Sequence, residues 1–200
     1  MAAEETPQPA SAHTLAEPPE LQERNLWVAA RLLAGATIMF FLAFVFAYFY
    51  LRSFNNNDNW RPGGIDPPHG YGAVIVILFL LSAGAFGYAS RAARAARPWF
   101  WAAGASLVLG LAGVVVQAFE WAHLGFTPSD GGYASVFEGW TITFAILVLP
   151  AMYWVETTLA SGLRNRATKG YVPHGMSAAS FYWSLLVAVG VVAWFVLYVL

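Results

Sequence analysis

Five apolar runs, each long enough to cross a lipid bilayer, constrain this chain more than any single residue does. They cover about residues 26–51, 71–90, 99–121, 133–160 and 178–200. A bilayer core is crossed by about 20 helical residues, with a range of about 17–25, so the longer runs must tilt or emerge at one end. Inside lipid no water satisfies the backbone, and a helix is the structure in which each such run satisfies its own. Composition agrees: 10% of the 200 residues are charged, where a soluble domain has about a quarter. The expected fold is therefore all-α, a polytopic membrane protein with a bundle of five transmembrane helices in one domain, residues 26–200.

Residues 1–25 hold five glutamates, four prolines and a single arginine. A segment of that composition buries too little surface to fold, and a disordered acidic tail is expected. It lacks the basic start of a signal peptide, so the first run is expected to stay as an anchor. Basic residues set the orientation. Arg24 and Arg31 flank the first span; Arg91, Arg94 and Arg97 follow the second; Arg164, Arg166 and Lys169 follow the fourth. Only Arg52 and Arg61 fall on the opposite side. Eight against two places the N-terminus in the cytoplasm and the C-terminus outside. The three-residue spacing of Arg91, Arg94 and Arg97 reads first as a topology signal, and second as contacts to lipid head groups.

The polar residues of greatest interest lie in one stretch, Gln117 to Phe137, which closes the third run and opens the fourth. Upstream of it, Ser106, Gly110, Gly113, Gln117 and Glu120 are spaced four, three, four and three apart. At about 100° per residue they share an arc of roughly 80° on one helix face. The three small residues allow close helix approach, so Gln117 and Glu120 should face protein rather than lipid. Two readings of Glu120 stay open: a solvated group at the helix end, or an ionisable group retained on a packing seam for a purpose. Phe126 to Asp130 reads as a tight connection, broken by Pro128 and Gly131-Gly132. A hydrogen bond from Glu120 to Tyr133 or Ser135 is expected. In the second run, Ala83 and Gly87 form a small-xxx-small pair suited to close packing. Pro150 interrupts the fourth run and is expected to bend it.

Gln117, Glu120, Trp121, Phe126-Thr127, Asp130, Tyr133, Ser135 and Phe137 resemble subunit III of the haem-copper oxidases, the cytochrome c and quinol oxidases. The matching residues cross a helix, a loop and the next helix in the family's order. Met39-Phe40-Phe41 in the first run, Leu80-Leu81-Ser82 in the second, and Trp183 and Tyr198 in the fifth extend the likeness. It implies a non-catalytic subunit of a terminal oxidase in the aerobic respiratory chain of a bacterial cytoplasmic membrane. The implied partners are the catalytic subunit I, with its haem and copper, subunit II, and bound phospholipid. The sequence departs from the family at intramembrane polar positions. Thr37 stands where the family carries a glutamate, Phe144 and Leu147 replace two histidines, and Ser184 and Val187 replace a histidine and an aspartate. A threonine bonds its own helix backbone but exchanges no proton near neutral pH.

The residues themselves argue against a redox centre in this chain. There is no cysteine, and His13, His69, His123 and His174 lie in tail, loops or helix ends, whereas haem and copper call chiefly for imidazole or sulfur ligands. Asp58, Asp66 and His69 share a loop without any regular ligand spacing. A net charge of −1 offers nucleic acid no basic surface. Three alternatives follow. One is an accessory subunit of a nitric-oxide-reductase-like or quinol oxidase complex. Another is a stand-alone transporter, against which stands the absence of an internal repeat. The last is an intramembrane enzyme using Glu120, Glu138 or Glu156, which lack any companion motif.

Overall fold

The computed structural model describes residues 18–55, 59–165, 167–168 and 171–200. Each apolar run forms a helix: α1 Pro19–Ser53, α2 His69–Arg94, α3 Phe100–Ala122, α4 Gly132–Arg164 and α5 Met176–Trp194. The last turn after α5, Phe195–Val199, widens to π geometry. All five are long and apolar enough to cross a membrane, and the described residues contain no strand. Side chains that a soluble protein would bury face outward, among them Leu32, Met39 and Phe46 along α1 and Trp101 and Val108 on α3.

One boundary differs from expectation. Residues 19–25, assigned above to the disordered tail, form the first turns of α1; residues 1–17 of that tail lie outside the described residues. Pro18 occupies the cap position, Pro19 opens the helix and Glu20 follows in the first turn. Proline suits the first helical position because its missing N–H has no partner there anyway, and an acidic residue complements the helix dipole. Composition averaged over 25 residues hid this start signal.

The helices alternate in direction, and inter-helix contacts define two ends. At one, Trp99 lies against Gly162, Leu26 against Gly175 and Trp27 against Phe181. At the other, Trp60 meets Gly132, and Arg52 donates to the Leu200 carbonyl at 3.0 Å. Six of the described basic residues, Arg24, Arg31, Arg91, Arg94, Arg97 and Arg164, belong to the first end, and Arg52 and Arg61 to the second. Arg166 and Lys169 lie outside the described residues.

Helix α2 packs most extensively on α3 and then on α5, while α1 packs on α5 and α4. Polar contacts join three of these helices at mid-bundle. Ser82 of α2 donates to the Ser106 carbonyl of α3 at 2.7 Å, and its Oγ accepts from Trp183 Nε1 of α5 at 3.2 Å. On the other side of α5, Thr37 Oγ1 lies 3.2 Å from the Tyr182 hydroxyl. Thr37 thus bonds a neighbouring helix. Gly87 does not make the close approach anticipated for it, since a Cβ there would meet nothing within 4 Å, while Ala83 packs at the edge of the core. The packed face of α2 is instead Ile75, Phe79, Ser82, Phe86 and Ala89. Helix α4 runs unbroken through Pro150, whose side chain is exposed.

These contacts predict opposite outcomes for two glycines. A Cβ at Gly162 would stand 2.3 Å from the Trp99 ring, which is itself stacked on Phe100 at 4.0 Å. Gly162→Ala should lower stability by about 1–3 kcal/mol, the usual cost of overpacking. Gly87→Ala should be neutral or slightly stabilising, since alanine favours the helix. Thermal melting of both variants in one detergent checks this, and equal melting temperatures would refute it.

Candidate functional site

The face predicted on α3 exists and is buried. Ser106, Gly110, Gly113, Gln117 and Glu120 all belong to the buried side of that helix, because their spacing keeps them on one side while Val108, Leu111 and Val115 face out. The small members let other helices in. Ser82, Trp183 and Met152 approach Gly110, and the Phe79 ring lies against Gly113. Glu120, at the end of the seam, is 0% exposed. The solvated reading is therefore excluded.

Its partners differ from those expected. One carboxylate oxygen accepts from the Tyr198 hydroxyl at 2.5 Å, and the other accepts from Gln117 Nε2. Tyr133 and Ser135 bond elsewhere. The Tyr133 hydroxyl donates to the Leu197 carbonyl at 2.6 Å, and Ser135 donates to the Pro128 and Gly131 carbonyls at 2.5 and 3.1 Å. Tyr198 lies 78 residues from Glu120, beyond the reach of any local pattern. A faint signal was present in Gly72, where a Cβ would stand 2.4 Å from the Tyr198 ring. Only glycine lets α2 pass so close.

The loop after α3 builds a cap over this pair. Thr127 and Asp130 form a reciprocal capping box: Asp130 Oδ2 accepts from the Thr127 backbone at 2.6 Å and from its hydroxyl at 3.0 Å. This tightens Pro128–Asp130 into a 3₁₀ turn. Gly131 then adopts φ +151° with Pro62 beside it, 2.6 Å from where a Cβ would be. The turn aims Phe126, Tyr133 and Phe137 into one cluster, with ring centroids 5.5–6.2 Å apart. Phe137 meets the Tyr198 ring edge-on at 5.3 Å. Trp121 Nε1 donates to Thr141 at 3.0 Å and ties α3 to α4.

Sequence reasoning missed the contribution of the preceding loop, which it read only as polar and irregular. The Asn59 and Trp60 carbonyls accept from the Gly132 and Tyr133 amides at 3.1 and 3.0 Å. The Arg61 guanidinium sits over the Tyr133 ring at 3.9 Å, a close cation–π contact. Trp60 lies edge-on to both Tyr48 and Tyr133. Aromatic Trp60 flanked by Arg61 was the available clue.

Three of the positions singled out above, Phe144, Leu147 and Val187, are taken up by apolar packing. Phe144 is buried against Phe41 and Phe79, and Val187 is buried near it. Both line a cavity of about 30 Å³ that also borders Gln117 and Tyr198. Leu147 packs at the edge of the core, and Ser184 is exposed. Glu138 is partly buried and Glu156 exposed on α4; 18 residues of helix separate them, about 27 Å at 1.5 Å per residue. They form no constellation with Glu120. No three of the described His, Asp and Glu residues come together as a metal site; Asp58 lies outside the described residues.

The arginine triplet is split. Arg91 and Arg94 line one groove, with Ser177, Ser180, Ser184 and Trp27, while Arg97 borders another beside Trp99 and Tyr171. The cause is the end of α2. Arg97 N bonds the Ala92 carbonyl and Ala96 N the Ala93 carbonyl, with Ala96 at φ +53°. This is a Schellman-type stop, which turns the chain off the helix axis and carries Arg97 away.

Compared with known proteins, the chain matches no family model, and no curated protein is significantly similar to it. The buried arrangement therefore stands on its own geometry: a carboxyl fixed from two sides, capped by aromatic rings, at the end opposite most of the basic residues.

The geometry predicts a graded response at Glu120. Glu120→Ala leaves the Tyr198 hydroxyl and the Gln117 amide without an acceptor and should destabilise the bundle by about 1–3 kcal/mol. Glu120→Gln should cost much less, because Gln117 can turn its amide and present its oxygen. In Tyr198→Phe the loss should resemble that of Glu120→Ala, and the double variant should lose far less than the sum. Chemical or thermal unfolding in detergent measures all four; strict additivity would refute the pairing.

Proposed function

We propose that this chain is a non-catalytic subunit III of a haem-copper terminal oxidase, of cytochrome c oxidase type, embedded in a bacterial cytoplasmic membrane. The observation that carries this reading is convergence. Of the residues that resemble the family's motif, Gln117, Glu120, Phe126, Tyr133, Phe137 and Tyr198 meet in one buried cluster, and Thr127, Asp130 and Ser135 form the exposed turn beside it. A chance likeness would give no reason for Glu120, Phe126, Tyr133, Phe137 and Tyr198 to touch. In this role the cluster keeps the ends of α3, α4 and α5 and the Asn59–Pro68 loop rigid, offering the catalytic subunit a preformed surface. The electron chemistry belongs to that partner, with a subunit II beside it.

The departures shape the proposal. Between Leu26 and Leu51 α1 carries no carboxyl group, and Thr37 is engaged by Tyr182. Phe144 and Val187 serve packing. The chain therefore acts through structure, not through intramembrane proton exchange on α1. In orientation, the end bearing Arg24, Arg91, Arg94 and Arg164 faces the cytoplasm, following the rule that cytoplasmic flanks are enriched in basic residues.

Two measurements test this reading. An affinity tag on the chain, expressed in its own host and extracted in mild detergent, should recover a complex with haem absorbance and oxygen consumption, while the chain produced alone shows no haem absorbance. Recovery of the tagged chain without any haem protein would overturn the proposal. For orientation, a phosphatase fused after Leu200 should be active in intact cells and one fused after Arg94 inactive. The reverse pattern would overturn the topology.

A further inference from the structure

At the Glu120 end of the bundle, oxidisable side chains form one continuous series of rings. Trp60 lies between two tyrosines, its ring centroid 5.1 Å from that of Tyr48 and 5.8 Å from that of Tyr133. Phe137 continues the series, 5.9 Å from Tyr133 and 5.3 Å from Tyr198. Trp60 and all three tyrosines are buried. Rings this close let an electron pass from one to the next without leaving the protein. The surroundings of each ring then decide where an electron is finally lost.

Those surroundings differ. A phenol that has given up an electron is a strong acid, so a tyrosine is readily oxidised only where a base takes its proton. The Tyr48 hydroxyl is buried without a partner among the described residues, and the Tyr133 hydroxyl donates to the Leu197 carbonyl, a feeble base, at 2.6 Å. Among the described tyrosines, Tyr198 alone donates to a carboxyl group, Glu120 Oε1 at 2.5 Å. The other oxygen of Glu120 accepts from Gln117. Each oxygen accepts a hydrogen bond and neither donates one to a described residue, which is the pattern of an ionised carboxylate. Fixed charge acts in the same sense. The Arg61 guanidinium carbon lies 3.9 Å from the centre of the Tyr133 ring, and that of Arg52 lies 5.9 Å from the centre of Tyr48. A positive charge beside a ring opposes loss of an electron from it, a carboxylate favours it, and low-dielectric surroundings strengthen both effects.

We propose that Tyr198 is a redox-active tyrosine, on which a one-electron oxidation of the series from Trp60 comes to rest as a neutral phenoxyl radical, with Glu120 as the proton acceptor. The oxidant is of the organic peroxyl radical class. It takes one electron from the Trp60 indole, which can give one up before its proton, and becomes a hydroperoxide anion. Tyr198 returns an electron to Trp60 across Tyr133 and Phe137 as its phenol proton crosses to Glu120 Oε1. Trp60 is restored, one electron has left the protein, and one proton has moved from the phenol to the carboxylate within it. Gln117 holds the second carboxylate oxygen and so keeps the first facing the phenol. The consequence is protective, because the oxidising equivalent collects on a buried ring and not on an exposed one. This role adds to that of an accessory subunit and depends neither on the oxidase partner nor on the orientation in the membrane.

Electron paramagnetic resonance of the full chain in detergent, freeze-trapped after oxidation by photogenerated ruthenium(III) tris-bipyridine, tests the proposal. Radicals on the exposed Tyr50, Tyr88 and Tyr153 decay first, and the signal that persists is the one read. In wild type it should be a neutral tyrosyl spectrum that narrows when ring-deuterated tyrosine is incorporated. Tyr198→Phe should lose it. Glu120→Gln should lose it too, since the amide keeps the shape of the site but offers no base. Glu120→Gln is expected to keep most of the stability, and its melting temperature, taken on the same sample, separates loss of the radical from loss of the fold. Tyr133→Phe retains a bridging ring and should keep the signal. A persistent tyrosyl signal of wild-type size in Tyr198→Phe or in folded Glu120→Gln would overturn the proposal. So would a persistent wild-type signal that tyrosine deuteration leaves unchanged, because the electron would then be missing from tryptophan.

Discussion

A carboxyl group with no exposure to solvent, near the end of an apolar helix, must be satisfied from within the protein. In a low-dielectric setting an unpartnered carboxyl is among the most costly groups to bury. Glu120 meets this requirement with one donor from its own helix, Gln117, and one from the last turn of the chain, Tyr198. The second bond brings the end of α5 onto α3, and the Tyr198 ring fits there because Gly72 leaves α2 without a side chain at that point. Tyr133 then fastens the Leu197 carbonyl from α4. Four helices thus meet through one acidic side chain and the two tyrosines around it. Where the helix widens at Phe195–Val199, an extra residue per turn changes which side chains face inward, and Val196, Leu197 and Tyr198 are buried together there.

The bundle shows the same logic in its middle. Membrane helices gain little from burying apolar surface against one another, because lipid is equally apolar, and they associate through close packing and hydrogen bonds. Gly110 and Gly113 provide the approach, and Ser82, Ser106 and Trp183 provide the bonds. Thr37 and Tyr182 do for α1 and α5 what Ser82 does for α2, α3 and α5. Each bond alone is worth little, about 0.6 kcal/mol on average in such proteins. Their placement matters more than their number, since each fixes the rotation of a helix whose apolar faces would otherwise pack in several ways.

Much of this was legible in the sequence because it is local. The five helices follow from run length, and the buried side of α3 follows from the period of Ser106, Gly110, Gly113, Gln117 and Glu120. The start of α1 at Pro19 was equally local, but composition masked it. What was not legible is pairwise and distant. Tyr198 lies 78 residues from Glu120, and Tyr133 and Ser135 were nearer along the chain and chemically equivalent as donors. Proximity in sequence ranked them wrongly because the capping box at Thr127–Asp130 turns Ser135 back onto its own loop. The arginine triplet divides between two grooves for a related reason. A three-residue spacing shares a face only while the helix lasts, and α2 stops at Arg94.

The two ends of the molecule then carry different kinds of chemistry. At the Glu120 end almost every polar atom of the motif has a named protein partner, and the aromatic cap closes over them, so this region resists deformation. At the basic end Arg91, Arg94 and the α5 serines line an open groove without such partners among the described residues. The hydrogen-bonded network at the Glu120 end fixes a shape, even though the Tyr48 hydroxyl and Arg61 Nε beside it are buried without a hydrogen-bond partner among the described residues. There the loop hydroxyls are turned against protein acceptors, Ser135 onto the Pro128 and Gly131 carbonyls and Thr127 onto the Asp130 carboxylate. The two ends of a single helical bundle thus differ in kind: at one the motif residues bond one another, and at the other Arg91, Arg94 and the α5 serines line an open groove.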